Sequence, residues 1–305
     1  MDSTAEATKL GPRIMPYLAV LQHDLTTLRA SRLVRLWLGA TVVLTLLLIA
    51  GNWTQFQDGP LIASLLFPYL VFPWFFIVAV LGVSPVSGSR ADVLADGLLS
   101  RPVSRSAYLL AAWSARVVLI WGVYLVVMIP AVALVTLAKR PVPEDTVTIY
   151  GIISALGIVG LVLTFLTSLA FLAGTLLRKP LLALVVLVFL WYPIGLILSF
   201  FSLEEFSPIS LNRAISTQLR QTLSTPETRA DSSAPAEDTP AFPGQVEHFL
   251  SVFSGASSEP VAVKPDFFEG GEFGDFSLLR VILGYGLPAV LAVVLAMLCF
   301  HWRDL

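Results

Sequence analysis

The feature that most limits this chain is where its apolar residues fall: in long blocks, not in short periodic runs. Six blocks occur, at 36–51, 61–83, 107–137, 149–177, 181–201 and 281–300. A helix rises about 1.5 Å per residue, so blocks of this length can cross a hydrocarbon core of about 30 Å. The longer ones would tilt, and the first would borrow a few flanking residues. Lipid offers the backbone no hydrogen-bond partner, which leaves helices or closed barrels, and the blocks lack the alternation of barrel strands. The expected fold class is therefore an all-α membrane protein with six transmembrane helices. Composition agrees: of 305 residues, 56% are hydrophobic and 13% charged, against roughly 25% charged in a soluble domain.

Composition also narrows the chemistry. A net charge of −2 gives no reason to expect nucleic acid as a partner. Cys299 is the one cysteine, so there is no intramolecular disulfide, no CxxC pair and no zinc cluster. The histidines His23, His248 and His301 lie far apart and suggest no metal site. The polar start, 1–16, is not expected to be a cleavable signal peptide.

Lysine and arginine near the span ends set the expected orientation. Lys9, Arg13, Arg29, Arg32, Arg35, Arg90, Arg101, Arg105, Arg178, Lys179 and Arg303 fall on one side; Lys139 and Arg140 occupy a short loop on the other. The first side is expected to be cytoplasmic, with both termini inside. The expected organisation is a cytoplasmic N-terminus with an amphipathic helix, 1–35, followed by the transmembrane domain, 36–305. The domain includes an inner loop at 84–106 and an outer segment at 202–277.

Within 15–35, Leu18, Leu21, Leu25 and Leu28 form an apolar stripe at helical spacing, with His23, Asp24, Arg29 and Arg32 on the other faces. Such a helix just before a span is expected to lie in the inner membrane interface. The outer segment carries twelve Asp and Glu against four Lys and Arg. Its middle, 224–243, is rich in Ser, Thr, Pro and acids, so it is expected to be flexible. Ile209, Leu211, Ile215, Leu219 and Leu223 predict a second amphipathic helix, and 245–253 a shorter one. Ala170 and Gly174, one turn apart, would permit close helix contact.

The clear intramembrane charge is Arg116, expected either to reach the nearby interface or to form a structural pair. The spans lack the chains of buried Asp, Glu, His or Lys that couple ion-driven carriers. No Gly-Lys pair occurs anywhere, so no phosphate-cradling G-x-x-x-x-G-K-[ST] loop is present. A transport function would therefore draw its energy from another polypeptide.

The inner loop predicts a short helix over 90–99, with Val93, Leu94, Leu98 and Leu99 as its apolar side and Pro102 as its stop. Gly97 weakens that helix by about 1 kcal/mol relative to alanine. Composition alone also allows an ordinary amphipathic connector. Asp92 and Asp96 share one helical face at a spacing that can hold Mg²⁺, but the second acidic motif of a membrane transferase is missing, since the other inner connection is Arg178-Lys179-Pro180.

The string LLSRPVSR at 98–105, followed by Tyr108-Leu109-Leu110, resembles the loop after the second span in type 2 ABC exporter permeases. The resemblance implies that this loop holds a coupling helix docked in a groove of a cytoplasmic ATPase, with Asp92, Asp96, Leu98, Leu99, Arg101, Pro102 and Arg105 at that contact. It implies that the amphipathic helix is the family's elbow helix, and that a second permease copy or a related permease completes the transporter. ATP and Mg²⁺ would then belong to the partner ATPase, with no cofactor on this chain, in a prokaryotic plasma membrane. Members often carry paired glutamates and a Gly-Thr in this loop; here Ser89 and Ala91, then Val93 and Leu94, stand at those places, and Asp96 keeps the later acid. The rival reading is a non-transporting membrane scaffold or sensor.

Overall fold

The structure is a computed structural model that describes residues 3–70, 73–84, 105–142, 147–177, 179–200, 211, 215, 218–220 and 278–303, without the side chains of 3–16, 105, 192–200, 301 and 303. The chain divides into two units, Met1–Gln221 with Phe273–Leu305, and Thr222–Glu272. The second unit lies outside the described residues, and with it the expected flexible stretch at 224–243 and the short helix at 245–253.

Among the described residues the regular structure is all helical: α1 (Ser3–Ala30), α2 (Arg32–Asn52), α3 (Asp58–Leu70), α4 (Trp74–Val83), α5 (Arg105–Leu137), α6 (Ile149–Leu176), α7 (Pro180–Phe200) and α8 (Leu278–Arg303). Five stretches are long and apolar enough to cross a membrane: Arg32–Asn52, Asp58–Val83, Ser106–Leu137, Ile149–Leu176 and Leu278–Phe300. This is the architecture of a multi-pass membrane protein. The block expected at 181–201 forms α7, 21 residues long, of which Pro180–Trp191 is a shorter apolar helix.

Two boundaries depart from the sequence pattern. The first span begins earlier than 36, because Ser31 ends α1 and caps α2: its hydroxyl accepts the N–H of Val34. A serine here satisfies one of the donors that every helix start leaves unpaired. The second span is two helices, α3 and α4, rather than one kinked rod. Pro68 and Pro73 remove two N–H donors from neighbouring turns, and the ring of Pro73 crowds the carbonyl one turn back. Single prolines, Pro130 in α5 and Pro288 in α8, leave their helices unbroken.

Helices in lipid gain little from hydrophobic association, so they meet where small side chains let backbones approach. α6 is the centre of that packing, in contact with α3, α4, α5, α7 and α8. A Cβ added at Gly82 of α4 would collide with Ala170 of α6, and one added at Gly174 would lie 2.7 Å from the carbonyl oxygen of Val83. The Ala170–Gly174 pair is thus the seat of α4. Gly160 is covered by the ring of Trp121 from α5. At the start of α6, Gly151 lies against the backbone of Leu219, and the Thr148 N–H donates to the Leu219 carbonyl at 3.0 Å. Leu211, Ile215 and Leu219, the described members of the expected second stripe, are all buried.

An aromatic chain ties the other faces together. Phe75 of α4 meets Trp191 of α7 at 5.5 Å, Trp191 meets Phe165 of α6 at 6.1 Å, and Phe165 meets Tyr285 of α8 edge-on at 5.5 Å. By contrast α2 exposes Leu36, Val43, Leu46 and Leu47, and α8 exposes Leu283, Leu287, Val290 and Leu291. Such faces suit hydrocarbon, not water.

Replacing Gly174 by valine should force α4 away from α6, because the obstacle is backbone and cannot rotate aside. We expect a loss of about 1–3 kcal/mol, read as a lower unfolding midpoint in detergent. Gly157, with open space around its Cα, is the control: Gly157→Ala should leave the midpoint unchanged or slightly raised.

Candidate functional site

Of the residues expected to meet an ATPase, Asp92, Asp96, Leu98, Leu99, Arg101 and Pro102 lie outside the described residues. Arg105 opens α5, with its side chain also outside them. The structure therefore describes the two stems of this loop: α4, whose last turn runs to Val83 and Ser84, and α5, which begins at Arg105.

The end of α4 is held on two sides. Its seat on α6 is the packing contact of Gly82 with Ala170 and of Val83 with Gly174. On the other side stands Arg116 of α5, 6% exposed. Its Nε donates to the Leu81 carbonyl at 3.0 Å, and its Nη1 donates to the Ala112 carbonyl one turn back. The Ser84 hydroxyl donates to the same Leu81 oxygen at 3.1 Å. Carbonyls in the last turn of a helix lack intrahelical partners and carry partial negative charge. A guanidinium placed there satisfies the oxygen and also complements the helix dipole.

Arg116 has a second partner. Its Nη1 lies 3.7 Å from Oδ2 of Asp24 on α1, an ion contact longer than a hydrogen bond. Two turns earlier on α1, the Tyr17 hydroxyl and the Ser114 Oγ are 2.6 Å apart, a second polar link between α1 and α5. Arg116 thus forms a structural pair, one of the two bland outcomes that its sequence position allowed.

This pairing changes the reading of α1. Leu21, Leu25 and Leu28 are partly buried, and Leu25 and Leu28 pack against the core. Leu18 is half exposed, at 50%. The inward positions are Tyr17, Val20, Leu21, Asp24, Leu25 and Leu28. Asp24 belongs to the packed side, not to the polar faces where its charge alone would put it. Three of the four stripe leucines keep their inward place, and Asp24 joins them where Arg116 of α5 receives its carboxylate.

α5 is linked to α6 as well: Trp113 Nε1 donates to Ser168 Oγ at 3.1 Å, and Trp121 Nε1 donates to Thr164 Oγ1 at 2.9 Å. A second buried arginine lies just beyond its far end. Arg140 donates to the carbonyls of Phe56 at 3.0 Å and Trp53 at 3.3 Å, pairs with Asp58, and stands 5.6 Å from the Trp53 ring centre. It fastens the α2–α3 turn to α5. The sequence marked Arg140 as a loop charge; nothing in the spacing of Trp53 and Arg140 shows that they meet.

Among the described residues no group of His, Cys, Asp or Glu could hold a metal ion. What the arrangement offers is mechanical. The two stems of loop 85–104 are fixed to each other by a directional, charged bond, and both are fixed to α6.

Arg116→Met should strand the Leu81 carbonyl and the Asp24 carboxylate together, lowering stability by about 3 kcal/mol. The double variant Asp24→Leu/Arg116→Met should be the more stable of the two, since it removes both charges. Thermal unfolding of the three proteins in the same detergent checks the order.

No protein-family model matches this chain, and no curated protein or solved structure was found to match it.

Proposed function

We propose that this chain is the membrane-spanning subunit of an ATP-driven ABC export system, and that ATP hydrolysis resides on a separate cytoplasmic subunit. The observation that carries the reading is the bracing of the last turn of α4, just before loop 85–104, to α5 about three turns inside its start, and to α6. A loop with free stems would absorb a push by bending. Stems joined by Arg116 and seated on α6 pass it to the bundle. Together with the resemblance of residues 98–110 to type 2 exporter permeases, this favours a lever over a passive connector.

In this reading α7 completes six transmembrane helices, and both termini and loop 85–104 face the cytoplasm of a prokaryotic cell. The loop docks on the ATPase through Asp92, Asp96, Leu98, Leu99, Arg101, Pro102 and Arg105. α1 is the elbow helix, resting in the inner interface. ATP and Mg²⁺ act on the ATPase; this chain binds no cofactor. Closure of the ATPase shifts the loop, and the braced stems carry α4, α5 and α6 as a rigid body. Two copies, or one copy and a related permease, form the pathway. The chain contributes conformational change and not catalysis.

Two measurements test the reading. Purified from its native membrane, the chain should retain an ABC ATPase that hydrolyses Mg·ATP. Leu98→Asp and Leu99→Asp should abolish retention while membrane insertion stays normal; undiminished retention removes the loop from the mechanism. In a Cys299→Ser background, Ser89→Cys should react with an impermeant maleimide only after permeabilisation, and Lys139→Cys in intact cells. The opposite labelling would put the lever on the wrong side of the bilayer.

A further inference from the structure

The geometry points to Arg116 as a positioning residue that makes α1, α4 and α5 a single moving body at the foot of loop 85–104, gripping the end of α4 through the Leu81 carbonyl and α1 through the Asp24 carboxylate. The inference rests on the proposed function for what drives the movement, but not for the grip itself.

The contacts at this place are of two kinds. α4 meets α6 through Gly82, Ala170, Val83 and Gly174, an apolar and non-directional surface. Such surfaces hold helices together yet allow small sliding displacements. The contacts of Arg116 are directional. The guanidinium is 6% exposed, its Nε is committed to Leu81 at 3.0 Å, and its Nη1 faces Asp24 at 3.7 Å. Sliding α1 or α4 past α5 would part a buried charge from its partner, which is far less tolerable than shifting an apolar contact.

Position decides against a purely stabilising pair. The carbonyl that Arg116 holds lies in the last turn of α4, just before the chain enters the loop. The helix that it reaches through Asp24 is not otherwise braced by the small-residue contacts of α6. The hydroxyl contact of Tyr17 with Ser114 keeps α1 aligned two turns away. The outward side of α1 is exposed at Leu18, His23 and Arg29, so α1 can move against the membrane surface while its inward side stays with the stems. Displacement of the loop would reach the N-terminal helix through its packing on α5 and through one side chain that bonds α4 and faces the carboxylate of α1.

The test is amide hydrogen exchange over residues 17–30 of the full-length chain in lipid nanodiscs. Without nucleotide or partner, Asp24→Asn should exchange about tenfold faster than wild type, between the loss expected for an exposed pair and that for a fully buried one, since the Asp24 side chain is partly exposed. Asp24→Glu, which keeps the charge, should stay close to wild type. Unchanged exchange in Asp24→Asn would show that the pair does not hold α1 and would overturn the inference. In the complex with the co-purified ATPase, Mg·ATP should change the exchange of 17–30 in wild type and in Asp24→Glu. In Asp24→Asn that response should vanish while the ATPase stays bound, an effect that a merely structural pair would not produce. A full response in Asp24→Asn would refute the transmission role. Failure of any ATPase to co-purify with wild type would sink the exporter reading instead, and the nucleotide-free comparison would still decide whether Asp24 and Arg116 hold α1.

Discussion

A backbone in hydrocarbon has only the protein to bond with, and so has every polar side chain that the spans carry. The hydroxyls solve this locally. Thr41 donates to the Trp37 carbonyl, Thr164 to Gly160, Thr167 to Leu163 and Ser168 to Thr164, each one turn back on its own helix. A guanidinium cannot do the same. With five donors and a fixed charge, Arg116 can return only part of itself to its own helix, at Ala112, and must recruit Leu81 from α4 and Asp24 from α1. The residue hardest to satisfy in a membrane therefore becomes the joint between three helices.

The same logic recurs at the far end of α5. Arg140 gathers two carbonyls, a carboxylate and an aromatic face from the α2–α3 turn. One arginine in α5 and one just past it bracket the helix, and each fastens a neighbour. Between them the contacts are apolar or shared hydroxyls, as where Trp121 covers Gly160 and bonds Thr164. α5 and α6 thus form a pair to which other helices are attached, by charge at the ends and by close packing along the length. That division suits a bundle that must stay together and yet change arrangement. It places the directional bonds at the stems of loop 85–104, where the proposed function needs stiffness.

Much of this was legible in the sequence. Charge-free blocks predicted the spans, because the lipid rule acts on each segment by itself. The Ala170–Gly174 spacing predicted a close helix contact, and α4 occupies it. The stripe through Leu211, Ile215 and Leu219 predicted an amphipathic helix, and these three residues are buried. The break between α3 and α4 was not legible in the apolar block 61–83 as such; it follows from Pro68 and Pro73 acting on neighbouring turns. Of the N-terminal stripe, Leu21, Leu25 and Leu28 lie inward and Leu18 does not; that Asp24 joins them was not legible, because hydrophobicity assigns a lone Asp to the polar side unless its partner is known. No local signal marks Asp24 as inward.

What the sequence by itself determined is therefore what a segment settles alone: helix rather than strand, apolar length, and the absence of a nucleotide-binding loop. The tertiary structure alone decided which charges meet. Asp24 and Arg116 stand far apart in sequence, as do Asp58 and Arg140, and no periodicity links them. An ion pair depends on where two helices cross, and that crossing is set by small residues and backbone contacts on other helices, such as Gly82 against Ala170.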